Sequence, residues 1–432
     1  MDEKNKSELR FGNLKKGEMP IMGYVEPLMF GVNKNDGFDV TMDEAFDDLK
    51  NSGINTLIGV NYMLNDGNDE DIETILQKTD ERGLNYLFKD RTRDKLFAGE
   101  FTQKQADDYF RTAYKRLEKY SSFAGIHYID EPGYVDWERF RSVREGFKKT
   151  YPEKLFFINL LQTYAPHWAI PNGAVYDFVK GGGLPDDGDI EKYYDSYVKK
   201  AEPDLFSYDY YPFCGEYPAI KSDYYYQLHL AYKYAKKGGL PVSCFMQTCT
   251  FGEGTRGTTF AEKLWQINTS IAYGTKGIAY FVYWNPYKLP HWRYSPIDPY
   301  GNKTKVYYEI VKLNEWIKKI DEYFTESELV GLIPAGKTAN AEEIRKDDVI
   351  KSFSPLSSVS GDSVLAGCFA GKSGEKILFA VNNRFDKESE LSLSFEKEVD
   401  LSVVCREKEY AVTDNRFRTA LGKGEGIVII VK

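Results

Sequence analysis

The stretch Phe123-Ala-Gly-Ile-His-Tyr-Ile-Asp-Glu-Pro-Gly133 decides the fold. Ala124 to Ile129 is a mostly apolar run of strand length, the pattern of a strand buried on both faces in a parallel sheet. It leads straight into Asp130-Glu131-Pro132. Proline cannot donate to a ladder and restricts the residue before it, so the strand must stop there. Two carboxylates therefore stand at the carboxyl end of a buried strand, where α/β folds bind ligands and carry out chemistry. Their plainest role is as acidic N-caps for a helix starting near Tyr134. Polar and aromatic groups at the other strand ends favour a catalytic site instead.

Outward from this stretch, between Met22 and about Pro286, short apolar runs alternate with helical periods. The runs are Met22–Val25, Ile54–Val60, Leu84–Phe88, Gly125–Ile129, Leu155–Leu161, Leu205–Tyr208, Val242–Met246 and Gly277–Tyr283. Eight such runs, each followed by a helical or loop segment, predict a (β/α)8 TIM barrel rather than an open sheet. Thr41-Met-Asp-Glu44 has capping-box spacing, and Gly53 supplies the C-cap of the first helix. Further helices are predicted over 69–81, 102–120, 134–150, 190–200, 223–237, 259–273 and 305–323. After Tyr323 the pattern changes to short alternating runs separated by turn residues, among them Ser363–Ala370, Lys376–Asn382, Leu391–Phe395, Leu401–Val404 and Gly426–Val431. That pattern predicts a small C-terminal antiparallel β-sandwich. The expected organisation is an N-terminal extension over 1–20, a catalytic barrel over 21–323 and the sandwich over 324–432.

Composition excludes several function classes. The 432 residues suit a barrel plus a small domain, and 42 % hydrophobic residues supply apolar surface for a large core. A net charge of −9 without a basic cluster argues against nucleic acid as a partner. No run of about 18 apolar residues is present to span a membrane. The segment from Met1 to Lys16 is charged and is not expected to be a signal peptide, although a trimmed leader would look the same. The five cysteines have neither disulfide-framework nor zinc-ligand spacing, and Cys244 and Cys249 read as buried thiols. With only four histidines, none paired at i, i+4, no metal or other cofactor is expected. Tyrosines number 33, and their apolar faces and hydroxyls suit flat polar ligands such as sugars.

Side chains at the carboxyl ends of barrel strands converge on one mouth. Those positions hold Glu26, Asn61 with Tyr62, Asp90 with Arg91, Asp130 with Glu131, Asn159, Asp209 with Tyr210 and Tyr211, Gln247, and Tyr283-Trp284-Asn285. The lining is acidic, amide-rich and aromatic, with no basic cradle for phosphate and no glycine-rich nucleotide loop. Glycoside cleavage needs carboxylates beside stacking rings: one acid protonates the leaving oxygen and a second carboxylate handles the anomeric carbon.

Three stretches carry a family resemblance that covers about 22–286. Gly125-Ile-His-Tyr-Ile-Asp-Glu-Pro132 resembles strand four of the retaining glycoside hydrolase barrels of the β-galactosidase and cellulase clan, where a Glu before Pro is often the acid/base. Ser207-Tyr-Asp-Tyr-Tyr-Pro212 resembles strand six of uncharacterised bacterial barrels of this kind, and 272–284 resembles their strand eight with its lead-in helix. The resemblance implies a glycosidase with Glu131 as general acid. One departure matters: strand seven ends in Gln247, where the clan has its nucleophilic Glu, and glutamine cannot form a glycosyl ester. Asp209, on a rigid strand end, is the better second carboxylate than Glu253 in the loop Phe251–Gly257. Asp130, Asp90, Asn61, Asn159, Tyr211, Gln247, Tyr283 and Trp284 are the expected sugar contacts, with Tyr283 and Trp284 as the aromatic floor. Chitinase-like barrels, which use the substrate's own acetamide as nucleophile, offer a looser resemblance. Gln247 also leaves open a glycan-binding barrel that has lost catalysis. A lyase or isomerase would need a metal or a lysine base at the mouth, and the sequence offers neither.

Overall fold

The computed structural model describes residues 9–27, 37–60, 69–90, 92–97, 100–173, 188–252, 254–286, 292–337 and 344–432. Eight parallel strands form the first sheet: β1 (Ile21–Tyr24), β2 (Thr56–Ile58), β3 (Asn85–Lys89), β4 (Phe123–Asp130), β5 (Leu155–Asn159), β6 (Phe206–Asp209), β7 (Val242–Gln247) and β8 (Thr275–Phe281). Their order, β5-β4-β3-β2-β1-β8-β7-β6, is cyclic in sequence. The seam between β5 and β6 is closed by a parallel bridge at Leu160 and Tyr208, where the Leu160 N–H donates to the Ser207 carbonyl at 2.9 Å. Nearly every residue in these strands is buried, because helices cover the outside while side chains fill the barrel interior.

The covering helices are α1 (Met42–Asn51), α2 (Asp69–Asp80), α3 (Gln103–Ala113), α4 (Trp137–Thr150), α5 (Ile190–Ser196), α6 (Tyr224–Gly238), α7 (Phe260–Ala272) and α8 (Lys305–Thr325). Capping boxes start α1 at Thr41/Glu44, α3 at Thr102/Gln105 and α7 at Thr259/Glu262, so three helix entries follow from local chemistry alone. The third helix is shorter than expected, since Lys115–Lys119 forms a 3₁₀ turn after it. Residues 9–20 pack against the same core through Leu9, Phe11, Leu14 and Met19, and the Pro20 carbonyl accepts from the Ile278 N–H at 3.0 Å.

The C-terminal domain is the antiparallel β-sandwich: β9 (Glu328–Gly336), β10 (Leu356–Gly361), β11 (Ser363–Ala370), β12 (Lys376–Asn382), β13 (Ser389–Val404), β14 (Glu409–Leu421) and β15 (Gly426–Val431). The long β13 passes between layers, its first half pairing with β10 and its second with β15, with a register break in its pairing to β14 between Ser394 and Val399. Leu378, Leu391, Leu393, Leu401, Val403, Ile427 and Ile429 form its own core. Polar bonds fasten it to the barrel. The Asn268 amide donates to the Gly424 carbonyl at 2.9 Å, and His229 meets Asp348 at 2.9 Å.

Gly125 shows how tightly β4 is held. A Cβ there would lie 2.1 Å from the Leu155 carbonyl oxygen and 2.7 Å from the Leu155 nitrogen, both backbone atoms of the neighbouring strand. Gly125→Ala is therefore expected to destabilise the protein by about 1–3 kcal/mol, read as a lowered melting temperature. An unchanged melting curve would contradict this packing of β4 on β5.

Candidate active site

Chain direction at the end of β4 creates the site. Side chains at consecutive strand positions point to opposite faces, yet both Asp130 and Glu131 line one cavity. Glu131 resolves the conflict by adopting φ = 45°, a left-handed conformation that costs a non-glycine residue about 1–3 kcal/mol. Its N–H donates to the Asn159 carbonyl at 2.9 Å, and Pro132, which needs no partner for a missing N–H, follows. Asp209 enters from the end of β6. The Asn159 amide, from β5, donates to the Asp209 carboxylate at 3.0 Å, and the Tyr24 hydroxyl donates to Asp130 at 3.0 Å.

The cavity has a volume of about 210 Å³ and is also lined by Tyr24, Gln162, Tyr164, Tyr211, Phe245, Phe251 and Phe281. The rings support one another: Tyr211 lies 4.6 Å from Phe251 and 5.1 Å from Phe281, and Tyr24 lies 5.4 Å from Phe245. Lys221 sits over the Tyr164 ring, 3.0 Å from its centroid. The result is an apolar sleeve around three carboxyl groups.

Electrostatics divide those carboxyls. Burial raises Glu131 well above the usual range, and the nearby charges of Asp209 and Asp130 and a hydrogen bond with Asp209 raise it further. Burial, reinforced by Asp130, pushes Asp209 up to about 7, against the Asn159 amide. Asp130 is also raised by burial, but Lys89, Tyr24 and Asn159 all oppose the shift. Glu131 is thus the one of the three that burial and every neighbouring group named here push towards the protonated form.

Of the expected contacts, Asp130, Glu131, Asn159, Asp209 and Tyr211 come together in the cavity lining. Four others stand elsewhere. Asp90 is buried and accepts from the Thr92 N–H at 3.0 Å and from the Tyr114 hydroxyl, holding the start of the short helix Thr92–Phe97. The Gln247 side chain braces two loops: it accepts from the Phe213 N–H at 3.1 Å and donates to the carbonyls of Phe213 and Arg256. Tyr283 and Trp284, expected as the sugar floor, are wholly buried. Trp284 packs on Phe38, and the Tyr283 N–H donates to the Tyr24 carbonyl, so both belong to the core behind the mouth. Phe281, the last residue of β8, takes the cavity position in their place. Asn61, Tyr62, Arg91 and Glu253 lie outside the described residues.

Six lining residues escaped the sequence reading: Tyr24, Gln162, Tyr164, Phe245, Phe251 and Phe281. Tyr24 is the last residue of β1 and Phe245 lies two residues before the end of β7, positions that counting along the strands can find. Tyr164 and Phe251 come from loops and carry no such signal.

No family model matches the chain, and no curated protein matches it. Solved structures do. A GH42 β-galactosidase from G. stearothermophilus superposes with a TM-score of 0.64 at 8 % identity, over 99 % of this chain and 100 % of its own. A β-galactosidase from Bacillus circulans sp. alkalophilus gives 0.61 at 8 % identity, over 96 % and 99 %. A glycoside hydrolase family 5 protein from Bacteroides vulgatus gives 0.53 at 11 %, over 99 % and 94 %. At such identities the likeness is one of fold, barrel and sandwich together.

Two outcomes follow from the site's geometry. Trp284→Ala is expected to cost about 3–5 kcal/mol of stability, as for other buried large-to-small changes, and Phe281→Ala to weaken ligand binding. Thermal melts and sugar titrations separate the two. Asp209 takes up its proton more readily folded than unfolded, so stability falls as pH rises from about 4 towards 7. Asp209→Asn should therefore melt above the wild type at pH 8, by an increment on the order of 1 kcal/mol or more, and lose that advantage near pH 4.

Proposed function

We propose that this protein is a glycoside hydrolase that cleaves O-glycosidic bonds of an oligo- or polysaccharide, with Glu131 as general acid and Asp209 as the second carboxylate. The observation that carries the reading is the grouping of Asp130, Glu131 and Asp209 in one aromatic-walled cavity at the carboxyl ends of β4 and β6, where burial and like charges raise Glu131. A leaving-group acid must stay protonated near working pH, and burial beside like charges does that. Glu131 gives its proton to the glycosidic oxygen as the bond from that oxygen to the anomeric carbon breaks. Water then adds to that carbon, and its proton returns to the carboxylate pair. The rings of Tyr211, Phe251 and Phe281 supply flat apolar surface for a sugar face. A cavity of about 210 Å³ suits a small polar ring better than a drug-sized ligand, whose pockets run to about 300–1,000 Å³. The solved structures with the same barrel-and-sandwich fold carry glycoside hydrolase names, which agrees with this reading.

One feature favours a more specific version. Retaining and inverting pairs stand about 5–5.5 Å and 6.5–9.5 Å apart, and Glu131 and Asp209 line one small cavity, near enough for the Asp209 charge to raise Glu131. Carboxyls that share one small cavity also suit a substrate-assisted reaction, in which Asp209 orients the acetamide of an N-acetyl sugar and Glu131 protonates the leaving oxygen.

A panel of aryl glycosides, with and without a 2-acetamido group, tests both. Glu131→Gln is expected to lower turnover by several orders of magnitude on poor leaving groups and much less on activated aryl ones. Equal loss on both would remove Glu131 from the acid role. Activity confined to 2-acetamido substrates, with no azide rescue of Asp209→Asn, would select the substrate-assisted version. Glycan binding with no turnover in the wild type would identify a binding barrel.

A further inference from the structure

The three acids of the site meet at one residue, Asn159. Asn159 ends β5 and stands in register with Asp130. Its backbone carbonyl accepts from the Glu131 N–H at 2.9 Å, and its side-chain NH₂ donates to Asp209 at 3.0 Å and favours the anion of nearby Asp130. An asparagine amide offers donors at one end and an acceptor at the other, and a half-turn about its last bond exchanges them. Which end faces the acids therefore decides what the acids must be. With NH₂ towards them, they are favoured as carboxylates. With the carbonyl towards them, one must be protonated in order to donate.

The Ser207 hydroxyl stands behind this amide. It is fully buried, two residues before Asp209 on β6 and so on the same face of the strand, one layer deeper. It donates to the Asn159 Oδ1 at 3.2 Å. Resting on the glycosidase reading above, we infer that Ser207 is a positioning residue for the reaction: it holds the Asn159 amide with its NH₂ end against Asp209 and Asp130, and thereby directs the proton of the site to Glu131. Without that hydroxyl, Oδ1 loses its buried donor. The turned amide becomes accessible, and it accepts from a protonated Asp209. The proton then moves off the acid that must deliver it.

The other groups facing the pair leave this assignment intact. Tyr24 and Lys89 act on Asp130. The hydroxyls of Tyr164, Tyr193, Tyr194 and Tyr211 are held above their ordinary range by burial, and Lys221 contributes positive charge near Asp209. Within the acid limb, the three carboxyls are the titrating members of this set.

The test compares the whole protein with Ser207→Ala and with Ser207→Cys, which matches serine closely in volume and donates weakly. Carboxyl protonation is followed by infrared difference titration without substrate, with the Asp209 signal identified by its loss in Asp209→Asn. Loss of one neutral hydrogen bond is expected to move the Asp209 titration up by about 0.5–1 pH unit in Ser207→Ala and by less in Ser207→Cys. The acid limb of kcat/KM on an aryl glycoside should move with it. An Asp209 titration unmoved or lowered in the folded variants overturns the inference, as does Ser207→Cys titrating like wild type where Ser207→Ala does not fold. If the wild type turns over no glycoside, the reading of the reaction fails on its own, and the infrared titration still decides the role of Ser207.

Discussion

Closing eight parallel strands into a barrel obliges the two ends of the sheet to meet, and here the meeting is thin. Between β5 and β6 the backbone supplies a bridge at Leu160 and Tyr208, where other neighbours share ladders of three or more residue pairs. Side chains take up the difference: Asn159 reaches from β5 to both Ser207 and Asp209 on β6. The contacts that complete the barrel are thus the contacts that arrange the acids. A change that loosens the seam disturbs the chemistry, and a change in the protonation of Asp209 bears on the seam.

Burial and backbone strain act together at the same place. Carboxyl groups sheathed in aromatic rings give up hydration, and the natural response is to hold protons. Glu131 adds a left-handed backbone to that cost. Neither feature stabilises the folded chain. Both are sustained by the surrounding core, which includes a fully buried tryptophan on each of α4, α7 and α8 as well as Trp284. Such local unfavourable terms concentrate where a fold serves reactivity rather than stability.

The barrel was legible because its strands are buried on both faces and so appear as apolar runs, while three capping boxes and the glycines after α1 and α2 mark helix ends. In the sandwich, β11, β12 and β15 were equally plain, but β9, β10 and β14 were not. Pro334 interrupts β9, and β10 and β14 are mostly exposed and polar, so the alternation that betrays a half-buried strand is weak in them. At the site, strand ends located Asp130, Glu131, Asn159 and Asp209, since these sit at the last residues of strands or one beyond. The eighth strand shows how sharp that dependence is. Reading it to Tyr283 instead of Phe281 moves the expected floor two residues along, to Tyr283 and Trp284 in the core. Loop residues such as Tyr164 and Phe251 approach the cavity through tertiary contacts that no local pattern encodes.

Asp130 and Glu131 are neighbours in sequence and open into one cavity, yet the fold treats them differently. Around Asp130 every influence other than burial favours the anion: the Lys89 charge, the Tyr24 hydroxyl and the Asn159 amide. Around Glu131 each influence favours the acid, with burial largest, then the charges of Asp209 and Asp130. Negative charge at Asp130 is therefore part of what raises Glu131. Two carboxyls in one small cavity cannot ionise independently, and unequal surroundings decide which of them holds the proton. The left-handed turn at Glu131 sets that inequality, because it brings the second side chain of a consecutive pair into the cavity without the donors that the first one has.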